Sequence, residues 1–221
     1  MSDKWVVLCD FDGTITFDET FVEILTRFAP DLSSELIPRM YNLSLTLKEG
    51  VRTIMESIES IHYSEMLEMI SRAPIRKGFN EMLGMMSSCQ IPFLIVTGGV
   101  SEFVRAALKE KPEGVLSIYG MTVDYSGPYL KVDSPLQSDS ELVSKVRLLD
   151  QFPGARSVCI GDSVTDLQLA LRCDFVISRG RLSSYLLERN VPFFPFEDFF
   201  DVSRILENLI CKPQWRSLER S

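Results

Sequence analysis

Residues 5–14 read Trp-Val-Val-Leu-Cys-Asp-Phe-Asp-Gly-Thr, an apolar run that ends in two closely spaced carboxylates. Three further apolar runs occur later in the chain, at Ile91–Val96, Ser157–Ile160 and Asp174–Ser178. Short runs of this kind, without polar alternation, are typical of strands that are buried on both faces of a parallel sheet. The opening stretch therefore predicts the first strand of such a sheet.

Amphipathic stretches separate these runs and have the apolar spacing of helices. They are Lys77–Ser88, Val100–Lys109, Asp139–Asp150, Val164–Arg172 and Leu182–Arg189. Residues Met121–Val132 place a Ser-Gly-Pro turn between two β-prone runs and predict a hairpin. Because strands alternate with helices, the sequence predicts an α/β protein with a Rossmann-like, doubly wound parallel sheet.

Residues 16–74 interrupt this alternation. Asp10 and Thr97 are 87 positions apart, whereas a βαβ unit needs roughly 30 residues. An insertion after the first strand opens over the carboxyl ends of the strands, where ligands bind. We therefore expect a small all-helical cap, the alternative being extra core that packs elsewhere. The candidate helices are Glu19–Ala29, Ser33–Leu43, Leu47–Ser57 and Ser64–Ser71.

The predicted domains follow from this insertion. They are a core of residues 1–15 and 75–213, a cap of residues 16–74 and a flexible tail of residues 214–221.

The composition is that of a soluble globular protein, with 221 residues of which 45% are hydrophobic and 24% charged. It excludes disordered, collagen-like and disulfide-framework proteins. A formal net charge of −8 disfavours nucleic acid as a partner. No apolar run approaches the ~18 residues of a membrane helix, and the five cysteines form no C-x-x-C pair. We therefore expect a cytoplasmic monomer or homodimer without a membrane partner.

Four acidic side chains follow two of the predicted strands: Asp10, Asp12, Asp162 and Asp166. If these strands are neighbours, the four carboxylates fall within one small volume, and they cannot all ionise without a compensating cation. Oxygen ligands of this kind suit Mg²⁺. The only histidine is His62, so zinc is not expected.

Asp10 and Asp12 predict covalent catalysis at phosphorus. An ionised aspartate can attack phosphorus and form an aspartyl-phosphate. A second carboxyl can protonate the leaving oxygen and later deprotonate the hydrolytic water. Two residues apart on an extended chain, the two side chains point the same way, which makes Asp10 the candidate nucleophile and Asp12 the candidate acid and base.

A phosphate group also needs hydrogen-bond donors and a positive charge. Thr97 offers a hydroxyl, while Gly98 and Gly99 allow backbone N–H groups to approach at the start of a helix. Lys145, on a predicted helix before the third strand, would offset the charge of the nucleophile. Lys131 is an alternative for this role, and a solvated surface position is an alternative for Lys145.

Taken together, the motifs resemble those of the haloacid dehalogenase superfamily of phosphotransferases, from Trp5 to about Leu209. The resemblance implies a nucleophile at Asp10, a general acid and base at Asp12, a hydroxyl at Thr97, a lysine at Lys145 and acids at Asp162 and Asp166. It also implies Mg²⁺ held by the Asp10 carboxylate, the Asp12 backbone carbonyl and Asp162, with Asp166 ligating directly or through water. The helical insertion resembles the cap of the phosphoserine-phosphatase branch.

Within that branch the sequence shares features with two groups of phosphatases. Glu19 matches the residue by which phosphoserine phosphatases bind the substrate amine, but the position of their cap arginine is Gly50 here, with Arg52 nearby. The stretch Leu47–Val51 looks closer to methionine-salvage phosphatases, which act on a 2-hydroxy-3-keto-5-methylthiopentenyl phosphate. Thr14 and Glu19 are accordingly candidate phosphate and substrate contacts.

The functional expectation is a Mg²⁺-dependent phosphomonoesterase whose partner is a small phosphorylated metabolite. Phosphoserine phosphatase, or another small-metabolite phosphatase of the superfamily, is the alternative. A non-catalytic phosphate-binding or regulatory protein, a dehalogenase and a phosphomutase also remain open. Arg179 and Arg181 either reach the rim of the site or lie in an exposed loop.

Overall fold

The fold is a mixed sheet flanked by helices, seen in a computed structural model that describes residues 4–211. Within those residues the strands are β1 (Trp5–Cys9), β2 (Phe93–Val100), β3 (Val115–Asp124), β4 (Lys131–Asp133), β5 (Arg156–Gly161), β6 (Phe175–Ser178) and β7 (Phe194–Pro195). Their order in the sheet is β4-β3-β2-β1-β5-β6-β7. All neighbours are parallel except β3 and β4, so the predicted doubly wound sheet is confirmed.

Strand β1 occupies the centre of this sheet because its residues are apolar on both faces. Val7 pairs with Phe93 of β2 on one side and with Val158 of β5 on the other. All three side chains are completely buried. Since β1, β2 and β5 run in parallel, the residues that follow them are delivered to the same edge of the sheet.

The α-helices are of ordinary length, apart from one of a single turn. They are α1 (Thr20–Phe28), α2 (Pro30–Tyr41), α3 (Leu47–Met55), α4 (Tyr63–Ser71), α5 (Phe79–Ser88), α6 (Ser101–Leu108), α7 (Leu167–Ala170), α8 (Gly180–Glu188) and α9 (Phe199–Leu206), counted over residues 4–211. Short 3₁₀ helices occur at Ser60–His62, Lys145–Gln151 and Val164–Asp166, and a π-helical turn at Glu207–Cys211.

The predicted helix at Asp139–Asp150 is wrong over its first half, because only Lys145–Gln151 is helical, and as a 3₁₀ helix. The serines before it favour turns. The Ser138 hydroxyl accepts a hydrogen bond from the Glu141 N–H (3.0 Å), and the Ser138 carbonyl accepts from the Lys48 ammonium (3.0 Å). Backbone groups committed in this way are not available to a helix.

Two elements near the end of the sheet, β7 and α9, were not predicted from the sequence. Both lie in a phenylalanine-rich run, which conceals the helix behind an apolar pattern. Asp198 is the signal that could have found it, because its side chain accepts hydrogen bonds from the Phe200 and Asp201 N–H groups at the start of α9.

The hairpin predicted at Met121–Val132 is confirmed by the antiparallel pairing of β3 with β4, in which Val123 faces Val132. The first half of β3 was not predicted, and it extends the parallel sheet beyond β2. The predicted tail at residues 214–221 lies outside the described residues. Among residues 4–211, no helix combines the length and the hydropathy that crossing a membrane requires.

Helices α1 to α4 lie in the insertion of residues 16–74, between β1 and α5. The two chain segments that connect it to the sheet run side by side. Thr16 and Ile75 form an isolated antiparallel bridge, and the Phe17 N–H donates to the Pro74 carbonyl at 2.9 Å. The helices agree with those predicted, whereas the division into domains stays a prediction.

Arg76, directly after the bridge at Thr16 and Ile75, stabilises the connection between the sheet and the insertion. It is 4% exposed, and its guanidinium donates only to backbone carbonyls. The acceptors are the carbonyls of Gly13, Thr14, Thr16, Phe17 and Glu197, at 2.9 to 3.2 Å. Four of these five belong to the loop that follows β1, so Arg76 fixes the path of that loop.

The insertion also contacts the β3–β4 hairpin. The rings of Tyr63 in α4 and Tyr125 at the hairpin tip stack with centroids 4.6 Å apart. The Ser60 N–H donates to the Pro128 carbonyl, and the Leu130 N–H donates to Ile58, each at 3.0 Å. These contacts hold the insertion over the carboxyl edge of the sheet.

Candidate active site

Three carboxylates meet at the carboxyl ends of β1 and β5. Asp10 follows β1, while Asp162 and Asp166 follow β5, and all three are buried. One oxygen of each lies within 4.8 Å of those of the other two. The predicted convergence of these acids is therefore present in the structure.

Lys145 lies between two of these carboxylates. Its ammonium is 2.6 Å from Asp10 Oδ1 and 2.6 Å from Asp166 Oδ1, and the residue is 2% exposed. Burial lowers the pKa of this ammonium, but the two adjacent carboxylates outweigh burial and raise the pKa above its usual value. The rival Lys131 is exposed and pairs with Glu56 at 3.4 Å.

The carboxylates outnumber the single ammonium that is buried with them. Desolvation raises the pKa of Asp10 well above its usual range, and the neighbouring Asp166 raises it further. Desolvation, followed by repulsion from Asp166, likewise raises the pKa of Asp162 to about 7. The ionised forms of these carboxylates are therefore disfavoured unless a further cation supplies the missing charge.

The donor set fits a hard divalent cation of the Mg²⁺ type. Among residues 4–211, the acidic group of Asp10, Asp162 and Asp166 contains only carboxylate oxygens and no nitrogen or sulfur ligand. Oxygen ligands and an excess of negative charge are what Mg²⁺ prefers in proteins.

Glycines allow these acids to approach the backbone. A Cβ atom at Gly161 would lie 2.4 Å from Asp166 Cγ, and one at Gly13 would lie 2.6 Å from Asp162 Oδ2. Gly13 also has a φ of +78°, which L side chains disfavour. The close approach of Asp162 and Asp166 to the backbone therefore requires glycine at both positions.

Thr14 is completely buried beside this cluster, and its hydroxyl donates to Asp162 Oδ1 at 2.8 Å. In this structure Thr14 orients a carboxylate, and its predicted contact with phosphate stays a prediction. Asp166 is oriented by backbone instead, because its Oδ2 accepts from the N–H groups of Asp162 and Ser163 at 3.1 and 3.2 Å.

Asp12 lies in the loop after β1, and its side chain contacts the start of α1 rather than the acidic cluster. Its carboxylate accepts hydrogen bonds from the Thr20 hydroxyl and from the Phe21 N–H, the latter at 2.8 Å. Desolvation raises the pKa of Asp12 to about 7, although these two hydrogen bonds oppose the shift. A carboxyl with such a pKa can exchange protons near neutral pH. The predicted metal contact through its backbone carbonyl stays a prediction.

The small residues Thr97, Gly98 and Gly99 lie within the last part of β2, and not at the start of α6 as predicted, because α6 begins only at Ser101. Thr97 is buried, and its hydroxyl oxygen accepts a hydrogen bond from the Gly99 N–H at 2.9 Å. Thr97, Gly98 and Gly99 line the same pocket as Asp10 and Asp12.

This pocket lies between the strand ends and the helical insertion and is partly open to solvent. Its floor consists of the charged and small residues at the strand ends. Its roof consists of side chains from α1, α2 and α3, and these are almost all apolar. They are Phe21, Val22, Leu25, Ile37, Met40, Tyr41, Leu47 and Val51.

Glu19 also lines the pocket, but its carboxylate is already engaged. One oxygen accepts a hydrogen bond from the Tyr41 hydroxyl at 2.7 Å, and the other pairs with the Arg181 guanidinium. Of the two alternatives for Arg181, the structure supports a position at the rim of the site, because Arg181 pairs with the pocket residue Glu19. Arg179 donates to the Gly13 carbonyl at 3.1 Å.

The sequence model of the family described as "haloacid dehalogenase-like hydrolase" matches residues 7–171, more than half of the chain. The chain belongs to the haloacid dehalogenase-like hydrolase family. The predicted family resemblance is thus confirmed, and with it the interpretation that the protein is an enzyme that hydrolyses phosphoric monoesters.

Similar proteins carry the names of phosphatases. A Microcystis aeruginosa protein named 2-hydroxy-3-keto-5-methylthiopentenyl-1-phosphate phosphatase is 40% identical over 203 residues, which are 91% of this chain and 97% of the relative. A Bacillus cereus protein of the same name is 32% identical, over 92% of this chain and 96% of its own length.

A solved structure of phosphoserine phosphatase from T. onnurineus shares the fold of this chain. Its TM-score is 0.73 at 14% identity, over 94% of this chain and 96% of that one. Sequence patterns did not point to Arg76 or Tyr41, because a single arginine or tyrosine outside any motif gives no signal.

Proposed function

We propose that this enzyme is a Mg²⁺-dependent phosphatase that hydrolyses 2-hydroxy-3-keto-5-methylthiopentenyl-1-phosphate through an aspartyl-phosphate on Asp10. The observation that carries the chemistry is the buried triad of Asp10, Lys145 and Asp166, in which Lys145 contacts both acids at 2.6 Å. The proposed substrate is supported by the names of the relatives that are 40% and 32% identical to this chain.

In the first step an Asp10 carboxylate oxygen attacks phosphorus, and the bond from phosphorus to the ester oxygen breaks. Asp12 donates a proton to that oxygen as it leaves. In the second step Asp12 takes a proton from water, which attacks phosphorus and releases Asp10 and inorganic phosphate. An Asp12 that titrates near pH 7 suits both proton transfers.

The remaining floor residues provide charge and hydrogen bonds. Lys145 stabilises ionised Asp10 and the negative charge of the transferring group. The Thr97 hydroxyl and the Gly98 N–H bind phosphate oxygens, and the Gly99 N–H orients the Thr97 hydroxyl by donating to its oxygen. Asp10, Asp162 and Asp166, with the Asp12 carbonyl, would hold Mg²⁺, which neutralises phosphate charge when bound.

The helical insertion of residues 16–74 acts as a cap over the substrate. Its apolar side chains displace water from the pocket when the substrate is bound, which strengthens the charged interactions at the floor. Release of the product requires the cap to move, and the paired linkers at Thr16 and Ile75 are the place about which it turns.

The roof favours a substrate with an apolar tail over phosphoserine. The position corresponding to the cap arginine of phosphoserine phosphatases is Gly50, where a Cβ atom would lie 2.4 Å from Met40 Sδ. The nearby Arg52 is engaged elsewhere, since its guanidinium contacts Glu56 at 3.0 Å and the Val132 carbonyl at 3.1 Å. A substrate carboxylate therefore has no arginine partner in the roof, whereas a thioether chain has apolar contacts.

The test is hydrolysis by the purified full-length enzyme with Mg²⁺. The substrates are the methylthiopentenyl phosphate, phosphoserine and p-nitrophenyl phosphate, compared by kcat/KM. We expect the first to exceed phosphoserine by about 10²-fold or more, the discrimination that unpaired polar groups can provide. A higher kcat/KM for phosphoserine would reject the proposed substrate, and absence of any phosphate release would reject the phosphatase itself.

A second comparison separates catalysis from binding alone. With EDTA in place of Mg²⁺ we expect hydrolysis to stop, and with Mg²⁺ restored we expect it to resume. Hydrolysis that is indifferent to EDTA would show that the acidic cluster works without a metal ion.

A further inference from the structure

Glu19 is the one acidic residue of the pocket lining that neither the metal site nor the proposed reaction uses, among the residues that the structure describes. It lies at the start of α1, beside the apolar side chains of the roof. A carboxylate at this place repels an approaching phosphate ester unless a positive charge neutralises it. That charge can come from the protein or from the substrate.

In this chain the protein supplies the charge. Arg181, in the first turn of α8, pairs with one oxygen of Glu19, while the Tyr41 hydroxyl occupies the other at 2.7 Å. The Arg181 Cζ atom also lies over the Tyr41 ring, 4.1 Å from its centre. Arg181 thus contacts the insertion through both an ion pair and an aromatic ring.

A neighbouring contact holds this arrangement in place. Tyr185, one turn further along α8, donates its hydroxyl proton to the Tyr41 carbonyl at 2.7 Å. Helix α8 therefore presents Arg181 and Tyr185 together to the end of α2. The pair of Glu19 and Arg181 is only partly buried, with 32% and 46% of the two side chains exposed, so a substrate group can compete for Glu19.

We infer that Arg181 determines specificity by occupying Glu19, so that the enzyme selects phosphate esters that are uncharged beside this carboxylate over esters that carry an ammonium group. The inference rests on the proposed phosphatase function and extends it to a class of substrate. An ammonium ester can bind Glu19 only by displacing Arg181, whereas a neutral ester leaves the ion pair intact.

The experiment compares two esters of nearly equal size, O-phosphoethanolamine, which carries an ammonium group, and n-propyl phosphate, which does not. The measured quantity is the ratio of their kcat/KM values with Mg²⁺. We expect the wild-type enzyme to favour propyl phosphate. In Arg181→Met the ratio is expected to move about tenfold toward phosphoethanolamine, the size of a partly exposed charge contact, and to do so through KM rather than kcat.

Two further variants identify the cause of the shift. Arg181→Lys keeps the positive charge and is expected to keep the wild-type ratio. Adding Glu19→Gln to Arg181→Met removes the carboxylate and is expected to abolish the gain for phosphoethanolamine. Arg204→Met is the matched control, because this arginine lies on α9 and pairs with Asp201 away from the pocket.

An unchanged ratio in Arg181→Met, with propyl phosphate still hydrolysed, would overturn the inference. So would a shift that persists after Glu19→Gln, or an equal shift in Arg181→Lys, since either result assigns the effect to cap packing rather than to charge. Thermal unfolding of each variant verifies that it is folded, and Arg181→Gln replaces Arg181→Met if the latter is not. If wild type hydrolyses neither ester nor p-nitrophenyl phosphate, the proposed phosphatase function has failed, and this inference fails with it.

Discussion

The floor of the pocket is charged and assembled from chain segments far apart in sequence, whereas its roof is apolar and comes from one contiguous insertion. The floor rests on buried like charges, because Asp10 lies against Asp162 and Asp166, and desolvation raises the pKa values of Asp10 and Asp162. In the roof, apolar side chains such as Leu25 and Met40 are buried at no electrostatic cost. The floor therefore opposes folding where it serves chemistry, while the roof supports folding and shapes the substrate.

Among substitutions that test this difference between floor and roof, Asp10→Asn is expected to have the largest effect on activity. The variant loses the attacking oxygen, and we expect kcat to fall by about 10⁴-fold or more, as when other nucleophiles are removed. Because the amide carries no charge, repulsion from Asp166 disappears, and the melting temperature is expected to stay the same or to rise. Steady-state kinetics and thermal unfolding measure both quantities.

The control for this variant is Asp139→Asn, at an exposed aspartate outside the pocket, which is expected to behave as wild type. Turnover by Asp10→Asn within tenfold of wild type would remove Asp10 from the role of nucleophile.

Lys145→Met is expected to have the next largest effect, and on both activity and stability. Loss of one preorganised charge typically costs about 10²–10³ in rate. Two buried carboxylates also lose their partner, which destabilises a protein by about 3 kcal/mol when no proton compensates. Lys131→Met, at the exposed ion pair with Glu56, is the control, with an expected loss of less than ~1 kcal/mol. Equal effects of the two substitutions on kcat would show that the buried ammonium has no special role.

A substitution in the roof is expected to change selectivity rather than chemistry. Ile37→Ala removes apolar contact from the pocket, and a few lost methyl or methylene groups reduce kcat/KM by about tenfold. We expect this loss for the methylthiopentenyl phosphate and a smaller loss for methyl phosphate, which does not reach the roof. Ile61→Ala, at a side chain that is 79% exposed, is the control. A loss of the same size for both substrates contradicts a specific contact with the tail.

The smallest expected effect concerns the stability that Mg²⁺ adds to the floor. The pKa of Asp162 is about 7 in the folded chain and about 4 in an unfolded one. Between these pH values the folded protein binds more protons, so without metal its free energy of unfolding falls as the pH rises. Mg²⁺ binds the ionised carboxylates and counteracts that fall, by about 2–3 kcal/mol at one hundred times its Kd.

Thermal unfolding with Mg²⁺ and with EDTA, at pH 5 and pH 8, tests this expectation. The difference in melting temperature is expected to be larger at pH 8, where protons no longer compete for the carboxylates. A larger difference at pH 5 would argue that Mg²⁺ binds outside the acidic cluster.

The floor was predictable from the sequence because sheet topology brings its members together. Asp10, Thr97 and Asp162 each belong to the carboxyl end of a buried strand, so parallel pairing alone places them at one edge. The predicted placement of Lys145 beside Asp10 agrees with the structure, although the helix predicted around it is only partly present. Lys145 is the first residue of the 3₁₀ helix that precedes β5, and this short helix is enough to bring its ammonium into contact with Asp10.

The roof and its ion pair were much less predictable. The alternation of apolar residues predicts that α2 and α3 exist, but not which side chains face the pocket and which face the hairpin. Arg181 and Glu19 are 162 positions apart, and no strand pairing connects them. Arg52 illustrates the same difficulty, because it is close to the pocket in sequence but its guanidinium contacts the Val132 carbonyl near the hairpin.

The paired linkers at Thr16 and Ile75, fastened by Arg76, have a consequence for how such enzymes diversify. The chain leaves the sheet and returns to it at neighbouring points, so the separation of these points does not depend on what is inserted between them. Closing a longer loop adds little entropic cost, about 0.6 kcal/mol for each doubling of its length. A module with adjacent termini can therefore be transplanted here without disturbing the catalytic loop, and evolution is free to exchange the recognition unit while the reaction chemistry stays the same.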